Sequence, residues 1–452
     1  MTPLRMNQPG GVAGRRQFLY YLLLCLSALV VVAGLLGAAE GFAQEEPVEA
    51  PPAAADEAAP QVLPPPPELS RWIKQLGDPD YGVREAATRK IRNIGLPAKP
   101  ALIQALRSND PEVRLRARRC LADILESDYQ ARLKAFEQDT QGSGHYELAG
   151  WQRFRQVVGE DANARKLFVE MHRAEAGLLE SSAAGGELAA EAVLLRCQQV
   201  LQMSRVPDPD VRQQPSLGTV AALIFVASDP AIKLPDQTQV LVFNFVNQPT
   251  FQTALRSGDQ QQQVRELLGA WIQRTPNNSL AYQTLRLAMQ HNIKQGLVPA
   301  LRVAKQKNIS AYMRMYGVLA VGKLGERRHA AELEPLLDDA TVCSSRTTVV
   351  NGERTTYRIE LRDVVVAVLA HLTEQSLEDY FLDGVRRDAS TLFNTGTLGY
   401  KDEQQREQAI KKMKAWLAEN AEALQAPLPA DDAAPSFDPR SAEPAEKAAG
   451  PV

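Results

Sequence analysis

DYGVREAA, from Asp80 to Ala87, and DPEVRLRA, from Asp110 to Ala117, are two copies of one pattern, Asp-x-x-Val-Arg-x-x-Ala, set thirty residues apart. A repeat of that length marks a supersecondary unit that cannot bury its own apolar face and has to stack on a neighbour. Further along, Met313-Arg314 to Gly325 (MRMYGVLAVGKLG) aligns without a gap on Val83-Arg84 to Gly95 (VREAATRKIRNIG), and Leu361-Arg362 to Thr373 aligns as a fourth copy. The anchors Val83, Val113, Met313 and Leu361 are each followed by arginine. Small or β-branched Ala87, Ala117, Gly317 and Val365 come next, then Ile91, Leu121, Val321 and Leu369, then Ile94, Ile124, Leu324 and Leu372. Offsets of 0, 4, 8 and 11 fall on one stripe of a helix, so each copy predicts the second helix of a helical hairpin.

The first helix of the first hairpin is expected from Leu69, Trp72, Ile73 and Leu76. Asp78-Pro79-Asp80 then turns the chain, and Gly95 ends the next helix as a C-terminal cap. The second pair is expected from Ala98 to Leu106 and from Pro111 to Glu126, with Asn109 or Asp110 as N-cap and Pro111 in the first turn. This rhythm resembles short bacterial HEAT-like repeats, over 68–126 and again over 296–373. The resemblance implies an all-α, HEAT-like α-solenoid of helical hairpins. It also implies a ladder in which Arg84, Arg114, Arg314 and Arg362 pair with acids of neighbouring units. Asp80 and Asp110 stand four residues before the first two arginines, and Asp363 follows the last. The alternative use of these arginines is a basic stripe on the concave face for an anionic partner.

The third and fourth arginines are 48 residues apart, a surplus over the basic period that coincides with 340–359. There Thr347 to Val350, Asn351-Gly352 and Thr355 to Ile359 read as strand, turn and strand, because Asn-Gly between β-branched runs is a strong hairpin signal. A β-hairpin is therefore expected inside one repeat. Insertions in solenoids form loops on one edge that often bind partners, so Val349, Asn351, Gly352 and Tyr357 are candidate interaction residues. A hairpin that merely packs against the helices is the competing reading.

The remaining boundaries follow from composition. Residues 1–43 read as a signal peptide or membrane anchor: Arg15 and Arg16 precede the apolar run Phe18 to Gly37, and Gly41-Phe42-Ala43 offers a cleavage site. The run of 20 residues is also long enough to span a bilayer, so cleavage and anchorage both stand. Membrane contact is expected only through 18–37, if uncleaved. Either way the body is expected outside the cytoplasm, periplasmic or anchored. Residues 44–67 form a Pro/Ala/acidic linker and 425–452 a tail of the same character, both expected to be disordered. Between them lie HEAT-like repeats at 68–127, a divergent helical region at 128–290 and further repeats with the inserted hairpin at 291–424. The last segment ends in an amphipathic helix around Lys401 to Lys414 that would cap the row.

Composition narrows the function. The net charge of −3 leaves the helical body near about +3, too little for a domain built to hold a phosphate backbone, so no nucleic-acid partner is expected. A low aromatic share of 6% with abundant Ala and Leu favours helix over sheet. Outside the leader, Cys120, Cys197 and Cys343 are an odd set without metal-ligand spacing, and a disulfide between two of them is left open. The histidines His145, His172, His291, His329 and His371 are scattered, and no nucleophile, metal or phosphate-loop motif occurs. No catalytic residue, metal or cofactor is expected. The reading is a non-catalytic envelope scaffold that binds a protein or peptide through the solenoid surface or the hairpin. A HEAT-like enzyme of the lyase type, or a purely structural envelope protein, are its alternatives.

Overall fold

The computed structural model describes residues 66–206, 208, 213–274, 278–350 and 353–425. The leader, most of the acidic linker, the C-terminal tail from 426, and Asn351-Gly352 lie outside the described residues. The chain forms two compact units divided between Glu147 and Leu148.

The first unit contains α1 (Leu69–Gln75), α2 (Tyr81–Ile94), α3 (Lys99–Ala105) and α4 (Pro111–Gln138). Asp80 caps α2 by accepting from the amides of Gly82 (2.6 Å) and Val83 (3.2 Å). Asp110, rather than Asn109, caps α4 in the same way, accepting from Glu112 N and Val113 N. Each cap satisfies amide donors that an open helix end would leave unpaired, an effect of about 1 kcal/mol. At Gly95 a φ of +71° turns the chain out of α2, a conformation cheap only for glycine. Helix α4 does not end at Glu126. No Gly or Pro interrupts it, and it runs on to Gln138 with Leu133 and Phe136 buried on its other side. The core of the unit joins Leu69 and Leu76 of the first hairpin to Ala87, Ile91, Leu102, Ala117, Cys120 and Ile124.

The second unit begins with α5 (Trp151–Val157), α6 (Ala162–Ala184), α7 (Gly186–Ser204), α8 (Leu217–Ala227), α9 (Asp236–Val246), α10 (Pro249–Arg256), α11 (Gln261–Arg274) and α12 (Asn278–His291). Every residue of α8 from Gly218 to Val226 is buried, and α6, α7, α9, α10 and α11 all pack on it. A helix apolar on all sides is a central helix. At Gly218 an added Cβ would lie 2.3 Å from the Glu170 carbonyl oxygen, so only glycine lets α6 and α8 approach this closely.

Helical hairpins resume with α13 (Leu297–Lys305) and α14 (Ala311–Leu324), followed by the short α15 (Ala330–Leu333). Strands β1 (Val342–Val350) and β2 (Glu353–Glu360) then pair antiparallel, from Val342 opposite Glu360 to Val350 opposite Glu353. Helix α16 (Leu361–Leu372) leads to a second, two-residue ladder that the sequence did not reveal, β3 (Arg387–Asp388) with β4 (Leu392–Phe393). Helices α17 (Glu403–Glu419) and α18 (Ala421–Gln425) end the described chain. Val318, Val321, Val365, Leu369, Phe393 and Met413 belong to one core shared by α14, α16, the small ladder and α17. The fold is all-α with one inserted hairpin arm, as the repeat pattern implied.

Candidate interaction site

The four repeat arginines separate into two kinds. Arg84 Nη1 donates to the carbonyls of Asp78 (2.7 Å) and Pro79 (3.0 Å), and Arg114 Nη1 donates to those of Ser108 (2.7 Å) and Asn109 (3.0 Å). In both copies the guanidinium closes the turn between the two helices of a hairpin. Asp80 and Asp110 serve as helix caps, not as arginine partners. A ladder between repeats does exist, and Arg84 is the one repeat arginine of this unit that takes part in it, alongside residues the pattern did not single out. Arg84 reaches Glu112 (3.4 Å), Glu85 reaches Arg116 (2.7 Å), and Arg92 pairs with Asp123. The Glu85 carboxyl is held below its ordinary value chiefly by the hydrogen bond from Arg116.

Arg314 and Arg362 instead anchor the two legs of the hairpin. Arg314, almost fully buried, donates through Nε to Ala304 O (3.0 Å) and through Nη2 to Asp339 Oδ2 (2.6 Å). Asp339 stands just before β1 and also binds Thr341. Burial alone would raise its carboxyl, but the hydrogen bonds from Thr341 and Arg314 prevail and hold it below the ordinary value. On the outgoing leg, Arg362 binds Glu360 (2.6 Å) and Glu403 (2.7 Å). Asp363, placed by sequence beside Arg362, is fully buried against Arg406 of α17, with Nε to Oδ1 at 2.8 Å and Nη2 to Oδ2 at 3.3 Å. Asp363 also accepts from Glu360 N (2.9 Å), completing a capping box at the start of α16, and Arg406 donates to Arg358 O of β2 (3.2 Å). Burial raises the Asp363 carboxyl against the pull of Arg406. Burial would also lower the Arg406 guanidinium, but Asp363 outweighs it and holds Arg406 up, so it stays cationic.

Between these anchors the register slips at Cys343, where one extra residue makes a bulge that bends and re-aims the strand. Beyond it, β1 and β2 pair only with each other among the described residues. Tyr357 lies opposite Arg346, whose guanidinium sits 5.1 Å from its ring, and the hydroxyls of Thr347 and Thr356 meet at 3.0 Å across the ladder. Val349 pairs with Arg354, and Asn351 and Gly352 fall outside the described residues. Ser345, Thr347, Thr356 and Arg358 are exposed, whereas Ile359 is fully buried at the root.

Several singled-out residues have structural places. His172 is buried 4.5 Å from the Phe168 ring, with Nε2 3.1 Å from Ala149 O, and burial lowers it to about 4. His371 is lowered to about 4 by burial and by Arg387 and Lys323 beside it. Cys120, Cys197 and Cys343 are free thiols, the last pushed up to about 12 by burial. Among the described residues no group of three His, Cys, Asp or Glu side chains could hold a metal ion, and no helix is long and apolar enough to cross a membrane.

Residues 69–143 match the family model of HEAT repeats. Over this stretch the chain is similar to HEAT repeats. The match begins with α1 and extends into the turn beyond the long α4, so it covers the unit in which the two arginines repeat their geometry. No curated protein matches the chain. HEAT repeats in general mediate contacts between proteins and are typically non-catalytic. The ion pairs at the hairpin root escaped sequence reasoning because their partners, Arg406 and Glu403, lie about forty residues beyond the hairpin. The one sequence signal was the unusual Glu360-Leu361-Arg362-Asp363 charge cluster at a helix start.

Proposed function

We infer that this chain is a non-catalytic scaffold of the bacterial envelope that binds a protein or peptide partner, with the β-hairpin as the docking element. The observation that carries the reading is the contrast within the arm. Its root is tied to three helices by Arg314, Arg362 and Arg406, while among the described residues the outer edges of both strands are unpaired. Unpaired strand edges accept an extended segment by strand addition, where main-chain hydrogen bonds supply affinity and alternate side chains supply selectivity. A rigid root lowers the ordering cost of that capture. The envelope location is supported by Arg15, Arg16 and the apolar run Phe18 to Gly37.

The test replaces residues 344–358 with a short Gly-Ser turn, keeping Asp339, Glu360 and Asp363. A partner captured by the native protein is purified and its Kd measured against both forms. A loss of at least about tenfold on replacement, about 1.4 kcal/mol, supports the hairpin. Equal affinity sinks it and moves the site to the helical surface. A reporter enzyme active only outside the cytoplasm, fused after residue 425, tests the location.

A further inference from the structure

From Tyr81 to Arg119 the chain has ten Lys or Arg and three Asp or Glu. All three acids are already engaged. Glu85 and Glu112 hold Arg116, and Asp110 caps α4. Arg89 and Arg119, at the same position of consecutive repeats, are exposed, as is Lys90, whose ammonium lies 5.4 Å from the Trp72 ring. That contact brings the second half of α2 beside α1, where Arg71 and Lys74 are exposed along an open cleft that Pro67 and Asp78 also line, the Asp78 carboxylate accepting from Asp80 N. None of Arg71, Lys74, Lys90 or Arg119 forms an ion pair among the described residues.

The segment that leads into this cleft has the opposite character. Residues 44–67 hold Glu45, Glu46, Glu49, Asp56 and Glu57, no Lys or Arg, and eight prolines. We propose that this acidic segment of the same chain docks on the basic face of the first unit and occupies it until an acidic partner displaces it. The occupant follows from charge complementarity and reach. Glu57 stands ten residues before Pro67, and an extended chain of that length, at ~3.1 Å per residue, can reach as far as roughly 31 Å. The 14-residue α2 is only about 21 Å long, so the carboxylates reach every cation named. Tethering keeps them at an effective concentration of about millimolar, enough for a weak salt-sensitive contact to be occupied.

The first readout is zero-length carbodiimide cross-linking of the full chain, followed by mass spectrometry. Cross-links from Glu45–Glu57 to Lys74 and Lys90 at low salt, lost at 0.5 M NaCl, are expected. Acids that link equally to Lys305 and Lys411, or not at all, overturn the proposal. The second is fluorescence anisotropy with a labelled decaglutamate peptide. Replacing the five acids by Gln or Asn is expected to tighten binding about tenfold, and adding Arg71→Gln, Lys90→Gln and Arg119→Gln is expected to abolish that gain. Unchanged binding in the acid-free chain, or a gain that survives the basic-face changes, also overturns it. Replacing the hairpin leaves both readouts intact, so this contact and hairpin docking fail separately.

Discussion

In the first unit two repeat arginines make the same bonds to the same carbonyl positions, whereas in the second unit the matching arginines share no partner with them or with each other. Two local differences explain the divergence. At the small position of the stripe, Ala87 and Ala117 are replaced by Gly317, where a Cβ would sit 2.7 Å from Ala304 N. Helix α13 therefore lies nearly backbone to backbone on α14, and the guanidinium one turn away reaches the Ala304 carbonyl near the end of α13 instead of the turn. In the fourth copy β2 runs up to Glu360, so Arg362 is the second residue of its helix, while Arg84, Arg114 and Arg314 are each the fourth. An aligned position in a repeat fixes which side of the helix a residue occupies, and the neighbouring element decides what it binds.

The strongest way to break this comparison is to remove the buried carboxylate of the second unit. Asp363→Ala removes the one fully buried carboxylate that Arg406 faces and leaves it Glu403 and Glu360, so it should cost about 3 kcal/mol, seen as a lower urea midpoint by circular dichroism. Hydrogen exchange should show protection lost first across β1, β2 and the start of α16. The double variant Asp363→Leu with Arg406→Met should recover most of that loss. A loss under about 1 kcal/mol for Asp363→Ala would mean that the pair does not hold the root.

A sharper contrast sets the two kinds of arginine side by side. Arg314→Met breaks a buried, charged contact and should cost about 2–3 kcal/mol, while Arg84→Met and Arg114→Met, at partly exposed turns, should cost about 1 kcal/mol each. Equal losses at all three positions would restore the single ladder that the alignment suggests.

The smallest effect concerns pH and belongs to the second unit alone. His172 and His371 have folded values lowered to about 4, below the ordinary imidazole value of about 6.5. As pH falls from about 6.5 to about 4 the unfolded chain takes up protons that the folded chain refuses, so stability conferred above 6.5 declines across that window. Chemical denaturation at pH 7.5 and 5 should show the decline, and His172→Gln should flatten it. A flat native profile would contradict the lowered values of both rings.

Much of this was legible in the chain, and for stated reasons. Helical hairpins were readable because Val83, Ala87 and Ile91, with their copies, repeat at helical spacing. The hairpin was readable from β-branched runs around Asn351-Gly352. The true end of α4 was not, because Leu133 and Phe136 lie past the repeat and show no phase with it until packed. Nor was the central α8, since a run apolar on all sides specifies burial without saying what surrounds it.

The amino-acid sequence by itself determined that the body is helical, that hairpin units recur, that one repeat is interrupted by a β-hairpin, and which faces turn inward. Periodicity and turn chemistry are local, and a few residues suffice to express them. Only the tertiary structure decided the partners: which carbonyls Arg84 and Arg114 close upon, that Asp363 belongs to Arg406, and that the hairpin rests on three guanidinium anchors. Those pairings join residues up to about forty positions apart, and charge pairing has no period from which a partner could be read.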